Sequence, residues 1–138
     1  MDECSLCRAY EEEKSRLVLE NEYSFAIIPN TPMCEGHILT LPKKHTIYED
    51  MSGEEHLALA ALNGGLIEKL MHFYPNEHPL LVSLTQTKHS SVHGHFHYHL
   101  IPSAYNLRKL MATCFPNKIV EHQKLSPSEL EQMAQKFR

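Results

Sequence analysis

The chain has 138 residues, 42% of them apolar, with 13 basic and 17 acidic side chains and a net charge of −4. That length supports one hydrophobic core, and the charge balance gives no global drive toward nucleic acid or an anionic membrane. No apolar run reaches the 18 or so residues that a spanning helix needs.

Cys4-Ser5-Leu6-Cys7 is a CxxC that can supply half of a tetrahedral zinc site. Two incidental thiols and a redox pair are the other readings. Cys4, Cys7, Cys34 and Cys114 are unevenly spaced, unlike a disulfide framework, and the acidic, polar start is unlike a secretory signal. Both point to a reduced, cytoplasmic protein. Residues 16–20 and 23–28 predict two strands, joined by Asn21 and Glu22 as a hairpin turn. Pro29, Asn30, Thr31 and Pro32 break the pattern. Residues 36–41 predict a third strand stopped by Pro42, with Lys43, Lys44 and His45 on the following loop. His37 and His45 are site candidates, although an isolated histidine is more often a plain surface group.

The longest helix is predicted over 53–73. Ser52 is a good N-cap, Glu55 completes a capping box, and Leu59, Leu62, Leu66, Leu70 and Phe73 recur at helical spacing. Gly64 and Gly65 mark either close packing or a weakened stretch. Residues 80–86 predict a fourth strand. A short connection joins it to the histidine-rich run from Val92 to Ile101, which leaves room only for an antiparallel pair. Beyond Pro102 the pattern weakens to a helical turn over 106–114. Ser126 and Glu129 then form a second capping box, with Pro127 at the first helical position. It opens a helix over 127–137 whose apolar side (Leu130, Met133, Ala134, Phe137) is expected to pack on the sheet. The expected fold class is α+β: an antiparallel sheet of about five strands with one long helix and a C-terminal helix, in a single domain over 1–138.

His93, His95, His97 and His99 fall at every second position, so an extended chain lines them on one face. Val92, Gly94, Phe96, Tyr98 and Leu100 then line the other. A single metal ion held by the whole row does not fit. Three alternate histidines span about 13 Å, whereas zinc holds each nitrogen at about 2.0–2.1 Å. One end of the row could still supply one ligand. A phosphate ester fits better. A central imidazole can attack phosphorus and hold a covalent intermediate, while its neighbours donate hydrogen bonds to phosphoryl oxygens. A protonated histidine could also supply a proton to the leaving group. The bland alternative is a histidine-rich solvent face with no role.

At this point the sequence resembles the histidine triad superfamily, whose motif is H-φ-H-φ-H-φ-φ with φ apolar. The matching run is His95-Phe96-His97-Tyr98-His99-Leu100-Ile101, followed by Pro102. Upstream, the segment from Gly36-His37 to Pro42-Lys43-Lys44-His45 is similar to the family's G-H-x-L-x-x-P-K-x-H. A register of His93, His95 and His97 would put Tyr98 and His99 where two apolar residues belong, so the later register fits better. The resemblance covers most of residues 4–102. It implies that His97 is the nucleophile, that His95 and His99 flank it, and that His37 completes the phosphate site. For members with an N-terminal CxxC it implies structural zinc held by Cys4, Cys7, His45 and His95, with no catalytic metal required. It also implies a homodimer with the sheets joined across a two-fold axis.

The chain departs from the family pattern in three places. Ser91-Val92-His93-Gly94-His95 has one residue more than the usual approach to the triad, and the loop before it is shorter. Gln86 is the candidate for the family's phosphate-contacting amide, with Ser83 and Thr85 as rivals and Ser91 as a further nucleotide contact. No acid stands near Asn30, the nucleotide contact expected where many members carry a ribose-binding carboxylate. The implied function is hydrolysis or transfer at the α-phosphate of a nucleotide conjugate, either a nucleoside phosphoramidate or a dinucleoside polyphosphate. The small-molecule nucleotide is then the expected partner, with neither nucleic acid nor membrane. The alternatives are a nucleotide-binding regulatory protein on the same fold and a metalloenzyme using the histidine row.

Overall fold

The computed structural model describes residues 4–83, 94–103 and 126–138. The chain divides into two compact units, Met1–Ala104 and Tyr105–Arg138. In the first, α1 (Ser5–Glu12) leads into β1 (Leu17–Glu20), β2 (Ser24–Ile27) and β3 (Ile38–Pro42). Then come α2 (Gly53–Phe73), β4 (His78–Val82) and β5 (Tyr98–Ser103). All strand pairs are antiparallel, and the sheet order is β1-β2-β3-β5-β4.

The period-2 alternation of β2 and β3 divides the core between two faces. Phe25, Ile27, Leu39 and Leu41 meet Leu6 and Ala9 of α1 on one side. Ala26, Ile38 and Leu100 meet Leu62, Leu66 and Leu70 of α2 on the other. Each such leucine, once fully buried, stabilises the fold by about 1.5–3 kcal/mol. His99 lies opposite Leu39 in the ladder, which puts it on the α1 face.

α2 spans the predicted residues, and both hydrogen bonds of its capping box form. Its buried stripe stops at Leu70, because Phe73 is exposed. Close packing does not account for Gly64 and Gly65, since a methyl group on either meets nothing within 4 Å. α1 was not expected. Its buried Leu6 and Ala9 stand three residues apart, and Tyr10 packs beside them.

Two strands differ from expectation. β4 occupies His78–Val82, earlier than the predicted 80–86. β5 begins only at Tyr98 and runs through Pro102 to Ser103, where Pro102 was expected to end it. Pro79 and Pro102 face each other in the ladder. Neither has an N–H, so this pair exchanges no hydrogen bond. Pro102 then turns its nitrogen toward β3, which has already ended at Ile38 opposite Leu100. The chain before β5 does not continue the strand, because the Phe96 N–H donates to Thr46 O at 2.8 Å.

The second unit contains α3 (Pro127–Lys136), with the predicted proline at its start and the predicted capping box. The apolar side expected to be packed is open: Leu130, Met133 and Phe137 are all exposed.

Candidate functional site

Two groups of side chains meet on the α1 face. The first is a Cys/His cluster. Cys4 caps α1 and Cys7 lies in its first turn. His45 comes from the loop after β3, and His95 from the segment before β5. The four ligand atoms lie within 4.8 Å of one another. Cys4 Sγ is 3.6 Å from His95 Nδ1, and Cys7 Sγ is 3.4 Å from both His95 Nδ1 and His45 Nδ1. Sulfur and nitrogen on a tetrahedral zinc, at about 2.3 and 2.0–2.1 Å from the ion, stand about 3.5 Å apart, so this donor set fits the metal. The Nε2–H of His95 donates to Pro42 O at 2.7 Å, which leaves the lone pair on the Nδ1 that faces both sulfurs. His95 is fully buried, and burial first, then His45 and His97, lower its pKa to about 4 against a hydrogen bond to Pro42 that acts the other way. Burial and the neighbouring Cys4 push the Cys7 thiol up to about 11. A crowded pair of thiols resists ionisation, and a bound cation would reverse that balance.

The second group is the histidine cleft, of about 360 Å³. It is lined by His37, His97 and His99, by Ser5 and Leu6 of α1, and by Arg16, residues 29–31 and Met33. His97 donates its Nδ1–H to the carbonyl of His95 at 3.0 Å, which puts its lone pair on Nε2. The rings of His97 and His99 are 5.2 Å apart. His37 Nε2 lies 2.9 Å from His99 Nδ1, and the Met33 N–H donates to His37 Nδ1 at 3.0 Å. His99 titrates low, at about 4, through burial and then through His97 and His37. Burial also lowers His37.

The expected single-faced row is therefore three unlike histidines: His95 belongs to the Cys/His cluster, and His97 and His99 belong to the cleft. His93, Thr85, Gln86 and Ser91 lie outside the described residues. Asn30 lines the cleft and is exposed. Ser83 donates its hydroxyl to the His97 carbonyl at 2.6 Å, so it supports the backbone of that residue. Sequence reasoning missed Arg16, whose Nε donates to Ile28 O and whose Nη1 pairs with Glu13. It also missed Met33, which acts through its backbone and leaves no side-chain signal.

A five-stranded antiparallel sheet with these imidazoles beside a cleft defines a histidine-triad type of protein. The HIT domain family model matches residues 10–106, and the chain belongs to that family. An uncharacterized 16.1 kDa HIT-like protein of Mycoplasma pneumoniae is 30% identical over 115 residues, covering 77% of this chain and 80% of its own. The histidine triad nucleotide-binding protein of Candida albicans superposes with a TM-score of 0.69 at 18% identity, over 98% of this chain and 94% of its own. The diadenosine triphosphate hydrolase of Plasmodium falciparum does so with a TM-score of 0.59 at 19% identity, over 78% and 80%. These two likenesses are of fold. Among the described residues no helix is long and apolar enough to cross a membrane.

Proposed function

We propose that the protein catalyses hydrolysis or transfer at the α-phosphate of a nucleotide conjugate, a nucleoside phosphoramidate or a dinucleoside polyphosphate, through a nucleotidyl intermediate on His97. The observation that carries this reading is the bond from His97 Nδ1–H to the His95 carbonyl. It leaves the lone pair on Nε2 of a residue that lines a cleft of nucleotide-phosphate size, and it would steady the imidazolium that forms on attack. The Nε2–P bond forms as the bond from phosphorus to the leaving group breaks. Water then attacks phosphorus, and His97 Nε2 departs with its electron pair. His99 donates to a phosphoryl oxygen, and His37 stands behind it. Asn30, Gln86 and Ser91 are assigned to the nucleotide.

Cys4, Cys7, His45 and His95 are assigned to a structural zinc, which would fix α1 and the His95 carbonyl in place; no step of the chemistry runs through it. A homodimer acting in the reducing cytoplasm, without nucleic acid or membrane as partner, completes the reading. The test is a quenched reaction with a labelled nucleoside phosphoramidate, analysed by intact mass. A nucleotidyl adduct mapping to His97 is expected. Tight nucleotide binding with neither adduct nor turnover would favour a binding protein instead.

A further inference from the structure

We propose that Arg16 selects the nucleobase, so that the cleft takes conjugates of the 6-oxopurine nucleosides, guanosine or inosine, in preference to those of adenosine. The proposal deepens the reading of His97 as nucleophile and rests on it for the place of the phosphate.

The strand register sets the distance from that phosphate. His99 pairs with Leu39, Leu39 with Ile27, and Ile27 with Leu17. Arg16 adjoins Leu17, so its backbone stands three strand spacings, about 14 Å, from that of His99. Both residues line the same cleft, and so does Leu39 on the row between them. A nucleoside 5′-phosphate whose phosphorus meets His97 and His99 can lie across this row with its base toward Arg16. Leu6, Pro29 and Leu39 offer apolar surface to the base, and Asn30 and Thr31 offer polar groups to the ribose.

Arg16 is held as a fixed fork. Its Nε–H donates to Ile28 O at 2.9 Å, and its Nη1 pairs with Glu13. The Ile28 N–H returns a bond to the Arg16 carbonyl at 3.0 Å. The side chain is 18% exposed, so the guanidinium is anchored on protein and not spread through solvent. The Nη2 hydrogens, and the Nη1 hydrogen that Glu13 does not take, meet no acceptor among the described residues. They are donors only, since a guanidinium stays protonated.

That one-sidedness decides the base. Guanine and hypoxanthine present O6 and N7, two adjacent acceptors, and arginine binds this edge through two parallel bonds. Adenine presents an amino group beside N7, so a donor meets a donor. A site built around a hydrogen bond rejects an analogue that leaves its donor unpaired. A polyphosphate leaving group suits this end less well. Glu13 already matches the charge of Arg16, and its carboxylate would repel phosphate. Arg16 is thus a specificity-determining residue, positioned by Glu13 and the Ile28 carbonyl.

The test is calorimetric binding of GMP, IMP and AMP, which needs no turnover. The wild type should bind GMP and IMP at least about tenfold more tightly than AMP, the discrimination of one good paired contact. Equal affinities overturn the proposal. Arg16→Met keeps the stem without the fork and should lose most of that preference. Arg16→Lys keeps the charge without the fork and should lose it as well. The ratio of GMP to AMP affinity is read within each variant, so partial unfolding does not mimic the result. Uniform weakening of all three nucleotides with the ratio kept would make Arg16 a plain attraction for phosphate and overturn its selecting role. Guanosine and adenosine 5′-phosphoramidates are then compared for the adduct on His97. An adduct formed equally well from both overturns base selection and leaves the function standing. A preference for GMP with no adduct from either overturns the function and leaves Arg16 as the reader of the base.

Discussion

His95 serves two sites with different atoms: its ring faces the sulfurs of Cys4 and Cys7, and its carbonyl accepts the Nδ1–H of His97 at 3.0 Å. The Cys/His cluster and the proposed nucleophile therefore share one residue. A displacement of His95 moves the acceptor that sets the tautomer of His97.

Replacing His97 with alanine is expected to abolish turnover and to change stability by no more than about 1 kcal/mol, because the side chain is only partly buried. Steady-state assay and urea denaturation on the same preparation check this. Retained activity would remove His97 as the nucleophile.

Zinc removal should lower the melting temperature and the turnover rate together. Cys4→Ser and Cys7→Ser should lose the metal, measured by elemental analysis. Coordination requires thiolates, so binding releases protons and zinc affinity should fall as the pH falls. Affinity independent of pH would argue against a two-cysteine site.

The low pKa of His99 predicts a pH effect on stability. The group titrates near 4 in the fold and near 6.5 in the unfolded chain. Between these values the unfolded chain binds the proton and the folded one does not. Stability should thus fall as pH drops from about 6.5 toward about 4 and level off below that. His99→Gln should show a shallower fall in urea titrations across this window. Identical slopes would assign the effect to other groups.

Gly36 has φ +87°, and a Cβ there would lie 2.8 Å from Pro102 Cγ and 2.9 Å from Tyr74 Cε2. Gly36→Ala should destabilise by about 2–4 kcal/mol, from left-handed strain and overpacking together. Gly64 is the opposite case: it is helical and open, so Gly64→Ala should stabilise by about 1 kcal/mol. Chemical denaturation of both variants measures the contrast.

Local signals made much of the fold legible. Ser52, Glu55 and the leucines of α2 declare that helix within their own segment. The apolar runs of β2 and β3, bounded by Asn21, Pro29 and Pro42, do the same for the sheet. The histidine run misled because alternation continues where the strand does not. Gly94 at φ +62°, the Phe96 N–H on Thr46 O and His95 on Pro42 O are tertiary commitments that no local period encodes. Pro102 misled for the converse reason, since a missing donor matters only where a neighbouring strand needs one. Side-chain chemistry revealed the imidazoles and thiols of the site. Met33 was invisible because any residue except proline supplies the same N–H.

α1 is two turns long, too short to persist by itself in water. Its order comes from Leu6 and Ala9 on the sheet and from the cysteines beside them, yet Ser5 and Leu6 also wall the cleft. A wall of the cleft is thus made from a segment that opens more easily than the strands beneath it. Any nucleotide that touches this wall holds α1 down, and whatever holds α1 down favours the nucleotide by the same factor. Under the proposed assignments, metal and substrate are thermodynamically linked through eight residues of helix. Amide exchange along α1 should slow when either one binds.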